Sequence, residues 1–149
     1  MRARLTPEEI EAQGRELIAA LNARDFDAIA EMPFFDNERS EFNSAFAAAE
    51  GLVFRGLEGM REWARAVDET WDDFRVDVVR IVPAGENQAV AEFRLTGTAR
   101  ASGAPLDGGA SQLWTFDEAG VIVRNDAWTD PRAAFEAAGV DYGPSTRSV

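Results

Sequence analysis

The sequence contains few side chains that are suited to catalysis. Its 149 residues include neither histidine nor cysteine, and all of its basic residues are arginine. These absences exclude an imidazole base, a Ser-His-Asp triad, a thiolate nucleophile, a Schiff-base lysine and metal sites built on histidine or cysteine. Carboxylates, amides and aromatic rings are therefore the groups from which a functional site has to be built.

Two amide side chains interrupt a pair of predicted strands near the end of the chain. A turn at residues 117–120 would pair Phe116 with Val121, which places Gln112 directly opposite Asn125. Buried amides need hydrogen-bonding partners, so these two either satisfy one another or point into a wet pocket.

Side-chain alternation along the strands assigns the two faces of the predicted sheet. The face expected to pack against the helices carries Phe93, Leu95, Gln112, Trp114, Phe116, Val121, Val123 and Asn125. The opposite face carries Glu92, Arg94, Thr96, Leu113, Thr115, Arg124, Asp126 and Trp128. Because the first face is the more apolar one, Asn125 is predicted to point inward. A β-bulge in this strand would turn Asp126 inward instead.

Hydrophobic periodicity predicts the elements that position these residues. Helices are predicted from Thr6-Pro7 to Leu21, from Asp25 to Pro33, over 57–71, and over 132–138 between a capping Asp130 and Gly139. Strands are predicted over 41–46, 51–55, from Phe74 onward with a β-bulge at Val79, and over 88–100, 105–116 and 121–129. Gly14 lies on the apolar stripe of the first helix, which predicts close approach to another element. The pattern is that of one α+β domain over residues 1–140, with helices covering one face of the sheet and a flexible tail at 141–149.

Four segments of the sequence resemble the SnoaL-like branch of the nuclear-transport-factor-like (cystatin-like) α+β barrels. They are FRGLEGMREW at 54–63, WDDFRV at 71–76, LWTF at 113–116 and DPRAAFEAAG at 130–139. The order of predicted elements is also similar to that branch over about residues 5–140. The resemblance implies a cone-shaped α+β barrel, in which a curved mixed or antiparallel sheet of about six strands wraps around three to four helices and leaves a cavity between them. It also implies a homodimer that forms through the sheet.

The resembling family includes several chemistries that can be compared with these residues. Its dehydratase-type sites depend on histidine, which is absent, and its isomerases need a buried tyrosine, whereas the only tyrosine, Tyr142, falls in the predicted tail. Its cyclases imply a pocket base, which falls here at Asn125 or Asp126. If a bulge turned Asp126 inward, burial would raise its pKa, which would suit a general base. The Asp-Arg-Asp set of its epoxide hydrolases would be Arg94, Asp107 and Asp126, but only if the two sheet faces were reversed.

The sequence therefore predicts a domain that binds a small, mostly apolar molecule, with no organic cofactor and no metal. The predicted pocket residues are Asn43, Trp63, Phe93, Gln112, Trp114 and Asn125. The alternatives are a polyketide-cyclase- or isomerase-like enzyme with Asp126 as its catalytic base, and a non-catalytic dimeric interaction domain. The net charge of −12 argues against binding nucleic acid or an anionic membrane. A cytoplasmic location is expected, because the sequence shows no apolar run of about 20 residues and no apolar N-terminal stretch.

Overall fold

The computed structural model describes residues 5–43 and 53–143, which form four helices and a single six-stranded sheet. The helices are α1 (Pro7–Asn22), α2 (Phe26–Ala30), α3 (Gly56–Thr70) and α4 (Ala133–Ala138). The strands are β1 (Glu41–Asn43), β2 (Val53–Arg55), β3 (Trp71–Ala84), β4 (Gln88–Ala99), β5 (Pro105–Phe116) and β6 (Ile122–Trp128). The sheet order is β2-β1-β6-β5-β4-β3, and β1 and β6 pair in parallel while the other neighbours are antiparallel. The predicted fold class, a mixed sheet of about six strands around three to four helices, is confirmed.

Helix α1 begins and packs as its sequence predicts. The Thr6 hydroxyl accepts a hydrogen bond from the Glu9 backbone N–H, and the Glu9 carboxylate accepts one from the Thr6 N–H, which completes a capping box. Gly14 faces the sheet so closely that a Cβ atom there would lie 2.8 Å from Ile81 and 2.9 Å from the Trp114 ring. The predicted close approach at Gly14 is confirmed.

Strand β3 contains two β-bulges rather than the single predicted one. The predicted irregularity at Val79 is confirmed by the register shift between Val78 and Arg80. A second shift lies between Asp72 and Arg75, where Asp73 adopts a φ of +55° that non-glycine residues rarely take. Bulges bend a strand and increase its twist, so both of them help to curve the sheet around α1.

The turn between β5 and β6 differs from the prediction. The side chain of Asp117 accepts hydrogen bonds from the backbone N–H groups of Ala119 and Val121, and Gly120 takes a φ of +85°. The Asp117 N–H also bonds to the Val121 carbonyl, so Phe116 pairs with Ile122 and not with Val121. The predicted pairing is wrong because the side chain of Asp117 organises a tight turn that strand alternation does not reveal.

A bulge at Val123 then shifts the rest of the pairing. Ile122 is only 4% exposed and belongs to the core, whereas Val123 is half-buried. Further along, Trp114 lies opposite Asn125, and Gln112 lies opposite Ala127, so the prediction that Gln112 faces Asn125 directly is wrong. The offset at these positions is an even number of residues, which leaves every side chain beyond the bulge on its predicted face.

Helix α4 covers the face of the sheet opposite to α1, which corrects the expectation that only one face is covered. Ala134 and Phe135 of α4 pack with Val90 and Leu113 in a second, smaller core. On the neighbouring positions of the same strands, Ala89, Ala91 and Trp114 belong to the main core beneath α1. Because successive strand residues alternate between faces, the two clusters lie on opposite sides of the sheet.

A serine from β5 anchors the start of α4. The Ser111 hydroxyl accepts a hydrogen bond from the Ala134 N–H at 3.0 Å and donates one to the Asp130 carbonyl at 2.7 Å. The side chain of Asp130, predicted to cap the helix, instead accepts from the Arg132 N–H in the turn before the helix. The prediction of Asp130 as the helix cap is wrong because a residue distant in sequence supplies the capping oxygen.

The chain continues to pack against the outer sheet face after α4. The Tyr142 hydroxyl donates to the Glu92 carboxylate at 2.8 Å, and the Arg80 guanidinium lies 4.6 Å from the Phe135 ring centre and 4.5 Å from that of Tyr142. Burial and the hydrogen bond to Glu92 raise the pKa of Tyr142, while Arg80 opposes the shift. Tyr142, which falls in the predicted tail, therefore packs against the outer sheet face, and residues 144–149 of that tail lie outside the described ranges.

Candidate functional site

A cavity of about 90 Å³ lies between the inner sheet face and helices α1 and α3. Its described lining residues come from both helices and from β1 and β3–β6, and they are Leu17, Ile18, Leu21, Phe42, Asn43, Met60, Trp63, Phe74, Val76, Phe93, Leu95, Ala110, Ser111, Gln112, Asn125, Ala127 and Trp128. The structure brings five of the six predicted pocket residues together here, namely Asn43, Trp63, Phe93, Gln112 and Asn125. Their role in binding stays a prediction.

Trp114, the sixth predicted pocket residue, lies behind the cavity wall. Its side chain is fully buried and packs edge-on against Phe34, with the ring centres 6.3 Å apart. Its indole Nε1–H donates to Gln112 Oε1 at 2.8 Å. Trp114 therefore contributes to the site by orienting a lining residue rather than by lining the cavity itself.

Gln112 also joins the two strands that carry the amides. Its Oε1 atom accepts a second hydrogen bond from Asn125 Nδ2 at 3.0 Å. Asn125 lies opposite Trp114 in the register, so this amide contact runs diagonally between neighbouring positions of β5 and β6. The sequence-based expectation that Gln112 and Asn125 meet on the inner face is thus met, although by diagonal rather than direct pairing.

The side chain of Asn43 holds β1 against β6. Its Oδ1 atom accepts from the Ala127 backbone N–H at 2.7 Å, next to the short parallel pairing of Phe42 with Asn125. This hydrogen bond uses one of the two lone pairs of Asn43 Oδ1. Asn43 therefore shapes the wall of the cavity mainly by fixing the position of β1.

Apart from Ser111, whose hydroxyl is bonded to Asp130 and Ala134, the rest of the described wall is apolar or aromatic, and none of the lining residues in the described ranges is ionisable. Trp63 of α3 meets Phe74 of β3 edge-on at 6.1 Å between ring centres. Sequence reasoning did not name Phe74 as a pocket residue, although alternation places it on the same face as Val76, and it missed Ala110, because a small side chain gives no sequence signal for a void. An apolar wall with a few amides can bind and orient a neutral molecule, but it contains no group for proton transfer near neutral pH.

Asp126, the candidate catalytic base, lies on the outer face of the sheet. It pairs with Leu113 in the register, and its carboxylate accepts from Arg124 Nε at 3.0 Å. Its side chain is 23% exposed, and Asp126 does not line the cavity. No bulge turns it inward, because the one in β6 falls at Val123, before Asn125.

The residues of the possible Asp-Arg-Asp set also lie on the outer face. Arg94 and Asp107 form an exposed two-bonded ion pair with distances of 2.8 and 2.7 Å, and this hydrogen bonding lowers the pKa of Asp107. Asp126 is paired with Arg124 instead. The reversal of the faces that an epoxide-hydrolase arrangement requires is absent from the described sheet.

A wider cleft of about 910 Å³ lies at one end of the barrel and was not predicted. It runs between the start of α1 and the turns that join β3 to β4 and β5 to β6. Burial alone would raise the pKa of Asp117, one of the acidic residues that line the cleft, but hydrogen bonds from Arg39 and from the backbone together lower it. These contacts hold the turn together, and the described residues of the cleft present no unpartnered buried polar atom.

The described residues were compared with two further kinds of feature, carboxylate clusters and membrane-spanning helices. Within the ranges 5–43 and 53–143, no three carboxylates cluster closely enough to hold a metal ion. No helix in the same ranges is long and apolar enough to span a bilayer.

Comparison with known families and structures agrees with the fold. A family model described as a SnoaL-like domain matches residues 15–125. A protein of ketosteroid isomerase-like fold from Catenulispora acidiphila, solved in complex with trimethylamine, is 15% identical with a TM-score of 0.64, over 89% of this chain and 97% of its own.

Two further solved structures show the same likeness. An NTF2-like protein of unknown function from Burkholderia pseudomallei is 16% identical with a TM-score of 0.65, over 84% of this chain and 93% of its own. A proposed polyketide cyclase from Xanthomonas campestris is 14% identical with a TM-score of 0.62, over 85% of this chain and 94% of its own. At these identities the likeness establishes the fold alone. No curated protein sequence matches the chain.

Proposed function

The chain belongs to the SnoaL-like domain family, and we propose that it binds one small, uncharged, mostly apolar molecule in the cavity between α1, α3 and the inner sheet face. The observation that carries this proposal is the composition of the wall. Its described residues are apolar, aromatic or neutral polar, without a single ionisable side chain. Such a wall favours a neutral guest, because an unpaired charge would lose its hydration there without compensation.

The volume of the cavity limits the size of the guest. At about 90 Å³ it is smaller than an apolar cavity of ~150 Å³ that accommodates benzene, and well below the ~300–1,000 Å³ of pockets for drug-sized ligands. A compact molecule smaller than benzene therefore fits without rearrangement. The neighbour from Catenulispora acidiphila was solved with trimethylamine, a molecule of similarly small size, and this supports small-molecule binding within the fold.

The enzymatic alternative has less support. A cyclase- or isomerase-like reaction needs a base that reaches the substrate, and Asp126 lies on the opposite face of the sheet with Arg124 as its partner. We therefore expect Asp126→Asn to leave ligand binding unchanged. Dimerisation through the sheet stays a separate prediction, to be tested by sedimentation equilibrium.

Filling the cavity tests the proposed function. Ala110 is buried in the cavity wall, and Ala110→Leu would place extra methyl groups in the void. We expect cyclobutanol to shift the Trp63 indole resonance of the unchanged protein in proton–nitrogen NMR spectra, and we expect Ala110→Leu to abolish this shift.

An exposed alanine on α4 provides the matched control. Ala137→Leu adds the same groups outside the cavity and should leave cyclobutanol binding intact. Thermal unfolding of both variants shows whether they stay folded at the temperature of the titration. Binding that persists in a folded Ala110→Leu variant would contradict the proposal.

A further inference from the structure

The orientation of the two cavity amides follows from the chemistry of their neighbour Trp114. An indole N–H can only donate a hydrogen bond, and the fully buried Trp114 directs it to Gln112. The atom of Gln112 that receives it must therefore be the oxygen. Asn125 approaches the same oxygen at 3.0 Å, so the Asn125 atom in this contact must be its nitrogen, Nδ2. The hydrogen bonds from Trp114 to Gln112 and from Asn125 to Gln112 thus fix which amide atom is oxygen and which is nitrogen in both side chains.

This fixed orientation leaves one acceptor in the cavity without a donor. Asn125 Oδ1 is buried and accepts no hydrogen bond from any residue of the ranges 5–43 and 53–143. Asn125 belongs to the described lining of the cavity, so a donor group placed in the cavity can supply the missing partner. Buried polar atoms in native proteins are almost always paired, because an unpaired one carries its full desolvation penalty.

We propose that the cavity selects a small neutral molecule that carries a hydroxyl group, which donates its hydrogen bond to Asn125 Oδ1 while the apolar remainder contacts Phe93 and the walls around it. The inference rests on the proposed binding function and narrows it to a class of ligand. Asn43 Oδ1 already accepts one hydrogen bond from Ala127, whereas Asn125 Oδ1 accepts none from the described residues, so the hydroxyl gains more by donating to Asn125. The lack of an ionisable lining residue in the described ranges favours a neutral donor over an ammonium group.

The geometry predicts discrimination between molecules of equal size. Cyclobutanol can donate to Asn125 Oδ1, whereas cyclobutanone has the same ring and can only accept. The ketone would leave Asn125 Oδ1 unpaired and would bring a second acceptor beside it, so we expect it to bind about tenfold more weakly or worse. This preference is opposite to that of a site whose amide nitrogen points at the ligand.

Titration of the full chain with the two probes tests the inference. Dissociation constants are measured by proton–nitrogen NMR from the indole resonance of Trp63. We expect cyclobutanol to bind more tightly than cyclobutanone, and we expect Asn125→Leu to reduce the ratio of the two constants to about one. As a control, Gln88→Leu removes an amide that bonds to Thr115 and does not line the cavity, and it should leave the ratio unchanged.

The outcomes separate the two proposals. Equal affinity of the unchanged protein for both probes, or a preference for the ketone, would overturn the hydroxyl inference and leave the binding function standing. Binding of neither probe would overturn both, because a water molecule alone would then satisfy Asn125. The comparison on the unchanged protein decides the matter even if Asn125→Leu does not fold.

Discussion

The contact between Gly14 and Trp114 should make a substitution that normally stabilises a helix destabilise this protein. Gly14→Ala would ordinarily add about 1 kcal/mol to the free energy of unfolding, since glycine is a poor helix former. Here the new methyl group would lie 2.9 Å from the indole ring and 2.8 Å from Ile81. The end of the Ile81 side chain can move, but the Trp114 ring is fully buried and hydrogen-bonded to Gln112, so the helix itself has to shift.

The expected magnitude follows from these opposing effects. Overpacking a core costs ~1–3 kcal/mol, which exceeds the gain in helix propensity by up to ~2 kcal/mol. For a domain of this size, ~2 kcal/mol corresponds to a lower melting temperature by ~4–8 °C. Urea unfolding followed by circular dichroism and tryptophan fluorescence measures the change.

Gly108→Ala is the matched control for this substitution. Within residues 5–43 and 53–143, no atom lies within 4 Å of the position its Cβ would take, and Gly108 does not have a positive φ. Alanine there should leave the stability unchanged or raise it by ~0.5–1 kcal/mol. If Gly14→Ala instead stabilised the protein by the full helix-propensity gain, α1 would not lie against Trp114 as described.

Three further predictions concern contacts outside the cavity. Ser111→Ala should lower the free energy of unfolding by ~1–3 kcal/mol in urea titrations, because the buried Ala134 N–H would lose its acceptor, and an unchanged stability would contradict that capping role. Because the chain has a single tyrosine, the near-ultraviolet absorbance of the protein reports the titration of Tyr142. The titration midpoint should lie above pH ~10, and it should move down in Glu92→Gln. The stability gained from the raised pKa should be present below pH ~10 and lost as the pH rises through the folded-state pKa. The pKa of Asp117 is shifted in the opposite direction, so its contribution to the free energy of unfolding is complete above pH ~3.9, the unfolded-state pKa, and is lost as the pH falls through the folded-state pKa. The stability of Asp117→Asn should therefore fall less steeply with decreasing pH than that of the unchanged protein. An identical acid profile would contradict this.

Local sequence signals determined much of the architecture. Thr6 and Glu9 form a capping box because both partners are close in sequence, and the break in alternation at Val79 marks a real bulge. These two features depend on short-range rules that a single sequence displays. Strand parity also placed Asn125 inward, but only because two departures from the prediction cancel: Phe116 pairs with Ile122, one residue later than predicted, and the bulge at Val123 shifts the strand by one more residue.

Features that depend on contacts between distant residues were not predictable in the same way. The Asp117 side chain sets the turn and thereby the partners of Gln112 and Asn125. Ser111 of β5 caps helix α4, which begins only after the whole of β6. Helix α4 is too short for its apolar pattern to reveal which face of the sheet it covers. The unpaired oxygen of Asn125 likewise depends on an orientation that Trp114 imposes from behind the wall.

The most direct test of a neutral, ligand-binding cavity is a high-resolution crystal structure of the protein with cyclobutanol. We predict the probe between Phe93 and Asn125, with its oxygen within hydrogen-bonding distance of Asn125 Oδ1 and the bonds from Trp114 and Asn125 to Gln112 preserved. A cavity closed by its own side chains, or a probe bound only at the wide cleft beside Asp117, would contradict the proposed site.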